Sequence, residues 1–184
     1  MTAPGALAGI RILDLSRILA APFATQLLGD LGADVIKVER PGVGDDARDY
    51  GPPFLGDPST PEGARLIRDL AAKSDVLVEN FRTGVLAKYG LDHDSLREIN
   101  PRLVYCSVTG FGQDGPYADR PAFDDIILAA CGLVGLSLVQ QSLPDYVPSL
   151  IADKTTGMAV VNAVLAALFH RERHGQGQQV EAPM

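Results

Sequence analysis

The chain has 184 residues, which is enough for one ordinary domain, or for one domain and a fragment of another. Its 46% hydrophobic content suffices for a core, and its formal charge of -7, with no basic block, argues against nucleic acid as a partner. An acidic protein that binds an anionic ligand must concentrate its few cations locally, so individual Arg and Lys positions matter.

Strand and helix signals alternate along the chain. Runs rich in branched residues predict strands at 10–15, 34–39, 75–79, 103–109 and 178–181. Apolar periodicity predicts helices at 20–31, 61–73, 83–89, 94–99, 121–138 and 153–173, and the helix at 121–138 is expected to be buried. Asp94 is the expected cap of its helix, and residues 41–61, rich in Gly, Pro and Asp, are expected to form a loop. The alternation predicts an α/β fold with a largely parallel sheet flanked by helices.

The two cysteines and the apolar segments bear on compartment. Cys106 and Cys131 have no metal-ligand spacing and form no disulfide framework, so two buried thiols are expected. The N-terminus lacks the basic and apolar regions of a signal peptide. The longest apolar stretch, 157–169, is shorter than the roughly 18 residues that suggest a membrane span. We therefore expect a cytoplasmic protein with no membrane partner.

Polar residues follow the predicted strands at their carboxyl ends, which is where parallel sheets bind ligands. Three Arg, one Asn and glycine-rich backbone are expected to converge there, in the segments 15–17, 39–41, 79–82 and 109–112. Such a rim suits a phosphorylated, anionic ligand.

Two nucleotide-binding motifs were tested against the sequence. Glu39 ends the second predicted strand, where a NAD-binding fold places its ribose-binding acid. The turn after the first strand, 16–22, contains no glycine, so a pyrophosphate could not approach its backbone closely. No Gly-x-x-x-x-Gly-Lys-Ser/Thr motif occurs either. Neither NAD nor a simple P-loop nucleotide is expected, and no metal site is predicted.

Asp153 stands just before a long apolar run that ends at Phe169. A carboxylate at the start of a helix is favoured by the unpaired N–H groups and by the helix dipole, so Asp153 can be an N-cap. It can also be a carboxylate nucleophile that forms a covalent intermediate with an acyl group. Position alone leaves both interpretations open.

Seven motifs, in order over nearly the whole chain, resemble the class III CoA-transferases, the family of formyl-CoA and carnitine CoA-transferases to which alpha-methylacyl-CoA racemase is related. The matching stretches are Leu13-Asp-Leu-Ser-Arg17, Leu31-Gly-Ala-Asp-Val-Ile-Lys-Val-Glu-Arg-Pro41, Asp75-Val-Leu-Val-Glu-Asn-Phe-Arg82, Asn100-Pro-Arg-Leu-Val-Tyr105, Ser107-Val-Thr-Gly-Phe-Gly-Gln-Asp-Gly-Pro-Tyr117, Ala152-Asp-Lys-Thr-Thr-Gly-Met158 and Gly175-Gln-Gly-Gln-Gln-Val180. The resemblance implies a Rossmann-like domain over residues 1–184 and a homodimer.

The resemblance also implies a reaction and its residues. Asp153 would be the nucleophile, CoA would pass from an acyl-CoA donor to a carboxylic acid acceptor, and Asp124 would lie near the reacting thioester. CoA contacts are implied for Ala20, Arg40, Asn80, Phe81 and Lys88. The alternatives are a solvated turn for Arg40, a helix C-terminal cation for Lys88 and a helix cap for Asp124.

The sequence departs from the family pattern at several points. Leu19 replaces a glutamine of the formyl-CoA enzyme, and Phe123-Asp124 replaces the Gly-His pair of the racemase. An Asn-Lys-Arg segment has no counterpart near residues 60–61, and the small C-terminal domain has none after Val180. The remaining alternatives are a non-catalytic CoA-binding or structural fragment and, ranked lower, an acyl-CoA racemase or isomerase. The acyl donor and acceptor are not predicted.

Overall fold

The computed structural model describes residues 4–46, 61–139 and 143–184. Most of the loop expected at 41–61, including the junction near 60–61, lies outside them. The strands are β1 (Arg11–Asp14), β2 (Asp34–Lys37), β3 (Val76–Glu79), β4 (Val104–Thr109) and β5 (Gln179–Pro183). The helices are α1 (Ala20–Asp30), α2 (Pro61–Ala71), α3 (His93–Ile99), α4 (Asp124–Ala130), α5 (Leu133–Leu136) and α6 (Ile151–His174), with 3₁₀ turns at Leu86–Tyr89 and Ser137–Val139.

The five strands form one parallel sheet in the order β2-β1-β3-β4-β5, which confirms the predicted α/β class. The chain passes from β1 to β2 on one side and then crosses back to place β3 on the other side of β1. The strand order therefore reverses between β1 and β3. Doubly wound sheets bind ligands in the crevice outside the carboxyl ends of the strands at such a reversal.

Alternate residues of the strands enter two separate hydrophobic cores, one on each face of the sheet. Val76, Val78 and Val104 pack with α1 and α6. Leu77 and Tyr105 are the next residues along these strands, so their side chains lie on the opposite face of the sheet. They pack with α2, α3 and the first 3₁₀ turn. A third cluster joins Ile127 and Leu128 of α4 to the first turn of α6, beyond the sheet edge. This last cluster fixes the segment around Asp124 against the segment around Asp153.

Helix α6 is long and apolar enough to cross a membrane, judged by length and composition alone. Its Val160, Val164 and Ala167 are fully buried in the core shared with α1 and the sheet. Near its other end, the buried Arg171 donates a hydrogen bond of 2.8 Å to Asp75 Oδ1, beside the start of β3. Packing within the domain thus accounts for part of the apolar composition of α6, while its Met158 and Phe169 are 60% and 64% exposed.

The prediction of one buried helix at 121–138 is wrong. Gly132 adopts a φ of 83°, in the left-handed region that favours glycine, and it separates α4 from α5. Ile127 and Leu128 of α4 are buried, whereas Leu136 of α5 is 66% exposed. The fully buried positions of the predicted segment therefore lie in its first half, while Leu133 and Val134 of α5 pack against the same cluster and are only partly buried.

Two smaller expectations are also wrong. Asp92, not Asp94, precedes α3, and Ser95 Oγ donates to its Oδ1 at 2.5 Å, while Asp94 lies in the first turn of the helix. Cys106 is buried in β4 as expected, but Cys131 at the end of α4 is exposed. Cys131 ends α4 next to the break at Gly132, away from the buried Ile127 and Leu128.

Candidate active site

A cleft of about 480 Å³ opens at the carboxyl ends of β1, β3 and β4, beside the first turn of α6. It brings together five of the predicted site residues: Ala20, Asn80, Phe81, Asp124 and Asp153. Arg17, Arg82, Thr109 and Gly110 also line it, so three of the four predicted strand ends meet here, whereas Arg40 from the fourth lies in another cleft. The volume lies within the range of small-molecule sites.

Asp153 is the third residue of α6, so the N-cap interpretation is wrong. Leu150 occupies the cap position, and its side chain makes no capping hydrogen bond. The backbone N–H of Asp153 donates to Asp124 Oδ1 at 2.9 Å, and the Asp153 side chain lines the same cleft as Ala20. In the first turn, this carboxylate still benefits from the positive end of the helix dipole.

Three effects act on the pKa of the Asp153 carboxyl, and they differ in sign. Burial raises the pKa of its carboxyl, the negative charge of Asp124 raises it further, and the hydrogen bond from Ala20 lowers it. Asp124 itself is buried at the start of α4, where Phe123 rather than Asp124 is the cap residue. A partly desolvated carboxylate beside a second one is more basic than a free aspartate, as is common at functional sites.

The turn between β1 and α1 connects two of the strand ends. Arg17 N donates to Asn80 Oδ1 at 2.8 Å, and Asn80 Nδ2 donates back to Arg17 O at 2.8 Å. Asn80 therefore lies on the cleft as predicted, but its amide joins two loops across the point where the strand order reverses. Phe81 next to it is held by its N–H, which donates to Glu79 Oε2 at 2.8 Å.

Arg40 and Lys88 lie in two neighbouring clefts. The cleft of about 310 Å³ that contains Arg40 also includes Arg17 and Tyr89, and Arg40 pairs with Asp46 at 3.2 Å. The cleft of about 580 Å³ that contains Lys88 also includes Arg120. Phe81 and Val85 line all three clefts, so together they form a continuous, cation-bearing surface around the loop after β3. Such a surface can accommodate a long, anionic ligand.

Two glycines set the spacing of the site, and the sequence analysis missed both roles. A Cβ on Gly110 would lie 2.3 Å from Ala122 Cβ, so the end of β4 directly contacts the segment that leads to Asp124. A Cβ on Gly157 would lie 2.8 Å from Ala20 O and 2.7 Å from Phe23 Cδ1. Glycine inside an apolar helical pattern was the available signal for close approach at position 157.

Glu79 predicts a specific pH dependence of stability. Its side chain is 6% exposed, and burial raises the pKa of its carboxyl from 4.5 to about 7, against the hydrogen bonds from Phe81 and Ser107. Between these pH values the folded state binds the additional proton, so this contribution to stability falls as pH rises, by on the order of 3 kcal/mol in total.

We expect Glu79→Gln to lose less thermal stability than wild type between pH 5 and 8, measured by calorimetry. Glu98→Gln on the exposed side of α3 is the control, and parallel curves for wild type and Glu79→Gln would contradict the assignment.

Within the described part of the chain, no group of three His, Cys, Asp or Glu could hold a metal ion. The site defined by these residues is a paired-carboxylate cleft at the reversal point of a parallel α/β sheet. The model of the CoA-transferase family III matches residues 7–184. The chain belongs to that family, which confirms the resemblance seen in its motifs.

Named relatives share the family and differ in substrate. The chain is 44% identical to the succinate–glutarate CoA-transferase of Agrobacterium fabrum over 199 positions, which cover 95% of the chain and 50% of that protein. It is 45% identical to the succinyl-CoA–L-malate CoA-transferase beta subunit of Chloroflexus aurantiacus, covering 97% and 49%. The chain thus spans about half the length of the curated relatives it matches.

Solved structures agree with this assignment. A CAIB/BAIF family protein from Brucella suis is 42% identical and superposes with a TM-score of 0.90, covering 97% of the chain and 53% of that protein. The protein Rv3272 of Mycobacterium tuberculosis is 36% identical and superposes with a TM-score of 0.91, covering 99% and 56%. The described fold is therefore that of the corresponding half of these proteins.

Proposed function

We propose that this protein transfers coenzyme A from an acyl-CoA to a carboxylic acid, with Asp153 as the nucleophile. The observation that carries the proposal is the placement of Asp153, whose carboxylate lies in the cleft beside Asp124 and the backbone of Ala20. Succinyl-CoA is a reasonable donor to test, since it appears in the names of several relatives.

The proposed reaction begins with attack on the donor. An oxygen of the Asp153 carboxylate attacks the thioester carbonyl, a C–O bond forms, the C–S bond breaks, and CoA leaves as the thiolate. The product on the protein is a mixed anhydride. The thiolate then attacks the side-chain carbonyl carbon of Asp153, which releases the donor acid as its carboxylate and leaves an aspartyl-CoA thioester.

The second half repeats these steps in reverse. The acceptor carboxylate attacks the aspartyl thioester, which gives a new mixed anhydride and CoA thiolate. Thiolate attack on the acceptor acyl carbon forms the new acyl-CoA and regenerates the Asp153 carboxylate. Each step conserves an activated acyl bond, so water must be excluded, and the half-buried position of Asp153 serves this need.

The joined clefts support a proposal for where the parts of CoA bind. Arg40 and Lys88, on either side of the Phe81 loop, would pair with the phosphates, and Phe81 would contact the pantetheine arm. The N–H of Ala20 would stabilise either the Asp153 carboxylate or the oxyanion that forms during attack.

Trapping the intermediate tests the proposal directly. After incubation with succinyl-CoA, intact-mass analysis is expected to find the added mass of a succinyl group or of CoA, and hydroxylamine is expected to convert Asp153 to its hydroxamate. Asp153→Asn should show neither product. Binding of succinyl-CoA without any adduct, measured by equilibrium dialysis at saturation, would contradict the transferase and favour a CoA-binding fragment.

A further inference from the structure

The turn between β1 and α1 contains a strained residue. Among the described residues, Ile18 alone combines a side chain with a positive φ, of 68°. A β-branched residue is strongly disfavoured there, and such conformations persist only where the surroundings impose them. The turn must therefore be held by specific contacts.

Three side chains provide those contacts, and we call them the turn clamp: Lys37, Asp45 and Asn80. Asp45, 4% exposed, accepts a hydrogen bond of 2.9 Å from Ile18 N through its Oδ1. Asn80 exchanges two hydrogen bonds with the backbone of Arg17.

Lys37 connects the clamp to the sheet. Its Nζ lies 3.2 Å from Asp45 Oδ2 and 3.5 Å from Asp14 Oδ2, and it also donates to Ser16 O. The buried Asp14 in turn accepts hydrogen bonds from Ser16 N at 2.8 Å and from Thr25 Oγ1 at 2.6 Å. The contacts act on both ends of the turn, so the turn is fixed relative to β1 and α1.

The geometry of this turn is transmitted to Asp153. Ile18 precedes Ala20 by two residues, and Ala20, the first residue of α1, lines the same cleft as Asp153, where its backbone lowers the pKa of the Asp153 carboxyl. A relaxed backbone at Ile18 would point the chain in another direction before α1 begins. The N–H of Ala20 would then leave its place beside the carboxylate.

We propose that the turn clamp positions the N–H of Ala20 against the Asp153 carboxylate, and that Asp45 is its central positioning residue. The catalytic role of the clamp rests on the proposed function. The effect of Asp45 on the pKa of Asp153, however, can be measured without any transfer reaction.

The charged groups around Asp153 must be held constant in such a test. On the same cleft these are Arg17 from the turn, Asp46, Arg82 from the loop after β3, and Asp124 from α4. Asp125 of α4 lines an adjoining cleft together with Asp153. On α6 itself, the neighbouring Lys154 reaches Ser149 Oγ at 3.2 Å. None of them is altered by a substitution at Asp45.

The test is a carboxyl-carbon NMR titration of Asp153 in uniformly ¹³C-labelled aspartate protein, assigned by the signal that Asp153→Asn removes. Removal of the Asp45 charge would by itself lower the pKa of another carboxyl. Loss of the Ala20 hydrogen bond would raise it. We therefore expect Asp45→Ala to raise the pKa of Asp153, with a sign opposite to the simple charge effect.

Matched variants separate the hydrogen bond from the charge. Asp45→Asn keeps an oxygen that can accept from Ile18 N but removes the charge, so the pKa of Asp153 should stay or fall. Asp34→Ala removes an exposed carboxylate at the opposite end of the sheet and should leave the titration unchanged. If Asp45→Ala does not fold, Asp45→Ser, whose hydroxyl is too short to reach Ile18 N, carries the same expectation.

A second variant tests the strain itself. Glycine adopts positive φ at no steric cost, so Ile18→Gly added to Asp45→Ala should return the pKa of Asp153 towards the wild-type value. The rate of adduct formation with succinyl-CoA should fall roughly tenfold or more in Asp45→Ala and recover in part in the double variant.

A folded Asp45→Ala or Asp45→Ser protein in which the pKa of Asp153 stays or falls would overturn the inference. Wild-type protein that forms no adduct, while Asp45→Ala still shifts the titration upward, would overturn the proposed function and leave the positioning role intact. If wild type forms the adduct but Asp45→Ala does not raise the pKa of Asp153, the positioning role is overturned and the proposed function stands.

Discussion

Asp153→Asn is expected to abolish CoA transfer and to increase the stability of the fold at neutral pH. The nucleophilic oxygen is lost, and removal of a covalent nucleophile lowers turnover by at least about 10³-fold. Burial and the Asp124 charge raise the pKa of the Asp153 carboxyl, which means that its ionised form is less favourable in the folded than in the unfolded chain. Asparagine has no such cost and keeps the backbone N–H that donates to Asp124 Oδ1.

The two effects are measured separately, by a transfer assay with succinyl-CoA and by thermal unfolding at several pH values. The sign follows from linkage: a raised folded-state pKa means that the Asp153 contribution to stability is lost as pH rises through that pKa. The gain of Asp153→Asn over wild type should therefore be absent at acidic pH and appear towards neutral pH. Asp30→Asn, an exposed change at the end of α1, should alter neither property much, and equal activity of Asp153→Asn and wild type would contradict the proposed nucleophile.

Gly157→Ala is expected to lower both stability and transfer by displacing α6 from the start of α1. The new methyl group would meet Ala20 O at 2.8 Å and Phe23 Cδ1 at 2.7 Å, and the backbone carbonyl cannot rotate away as a side chain can. Overpacking of this kind costs about 1–3 kcal/mol, partly offset by the higher helix propensity of alanine. The displaced contact is the one that holds Ala20 beside Asp153, so transfer should fall by about 10- to 100-fold.

Gly29→Ala provides the matched control on α1. Its new methyl group would lie 3.5 Å from Val35 Cγ2, an ordinary packing distance, so it should be neutral or stabilising by up to about 1 kcal/mol. Chemical denaturation and the transfer assay compare the two variants. If the two substitutions have the same effect on either measurement, the close approach of α1 and α6 is not what constrains position 157.

The sheet could be predicted from sequence because each strand carries its own local signal. Runs such as Val76–Glu79 and Val104–Thr109 are rich in branched residues, and the intervening helical patterns require parallel crossovers. Parallel strands place all their carboxyl ends on one edge, so the meeting of Arg17, Asn80 and Thr109 on one cleft followed from topology. Knowing which residues follow each strand was therefore enough to predict that these three line one cleft.

The supporting contacts could not be predicted because they depend on positions far apart in the chain. Asp45 lies in a Gly- and Pro-rich segment that predicts only a loop, yet its carboxylate meets Ile18 N, 27 residues away. The Asp153 N–H donates to Asp124 across 29 residues, a contact that the position of Asp153 before an apolar run does not predict. Positive φ at an isoleucine contradicts local preference outright, since only the assembled fold imposes it.

The anchoring of α6 by Arg171 has a mechanical consequence for the site. Residue 171 lies 18 positions after Asp153, and at 1.5 Å per residue this is a lever arm of about 27 Å. A tilt of about 2° about the Arg171–Asp75 ion pair would carry the Asp153 carboxylate by about 1 Å, which is enough to lower a reaction rate severely. The position of the proposed nucleophile is thus coupled to an ion pair at the far end of the domain, and we expect a substitution there to affect transfer without contacting the cleft.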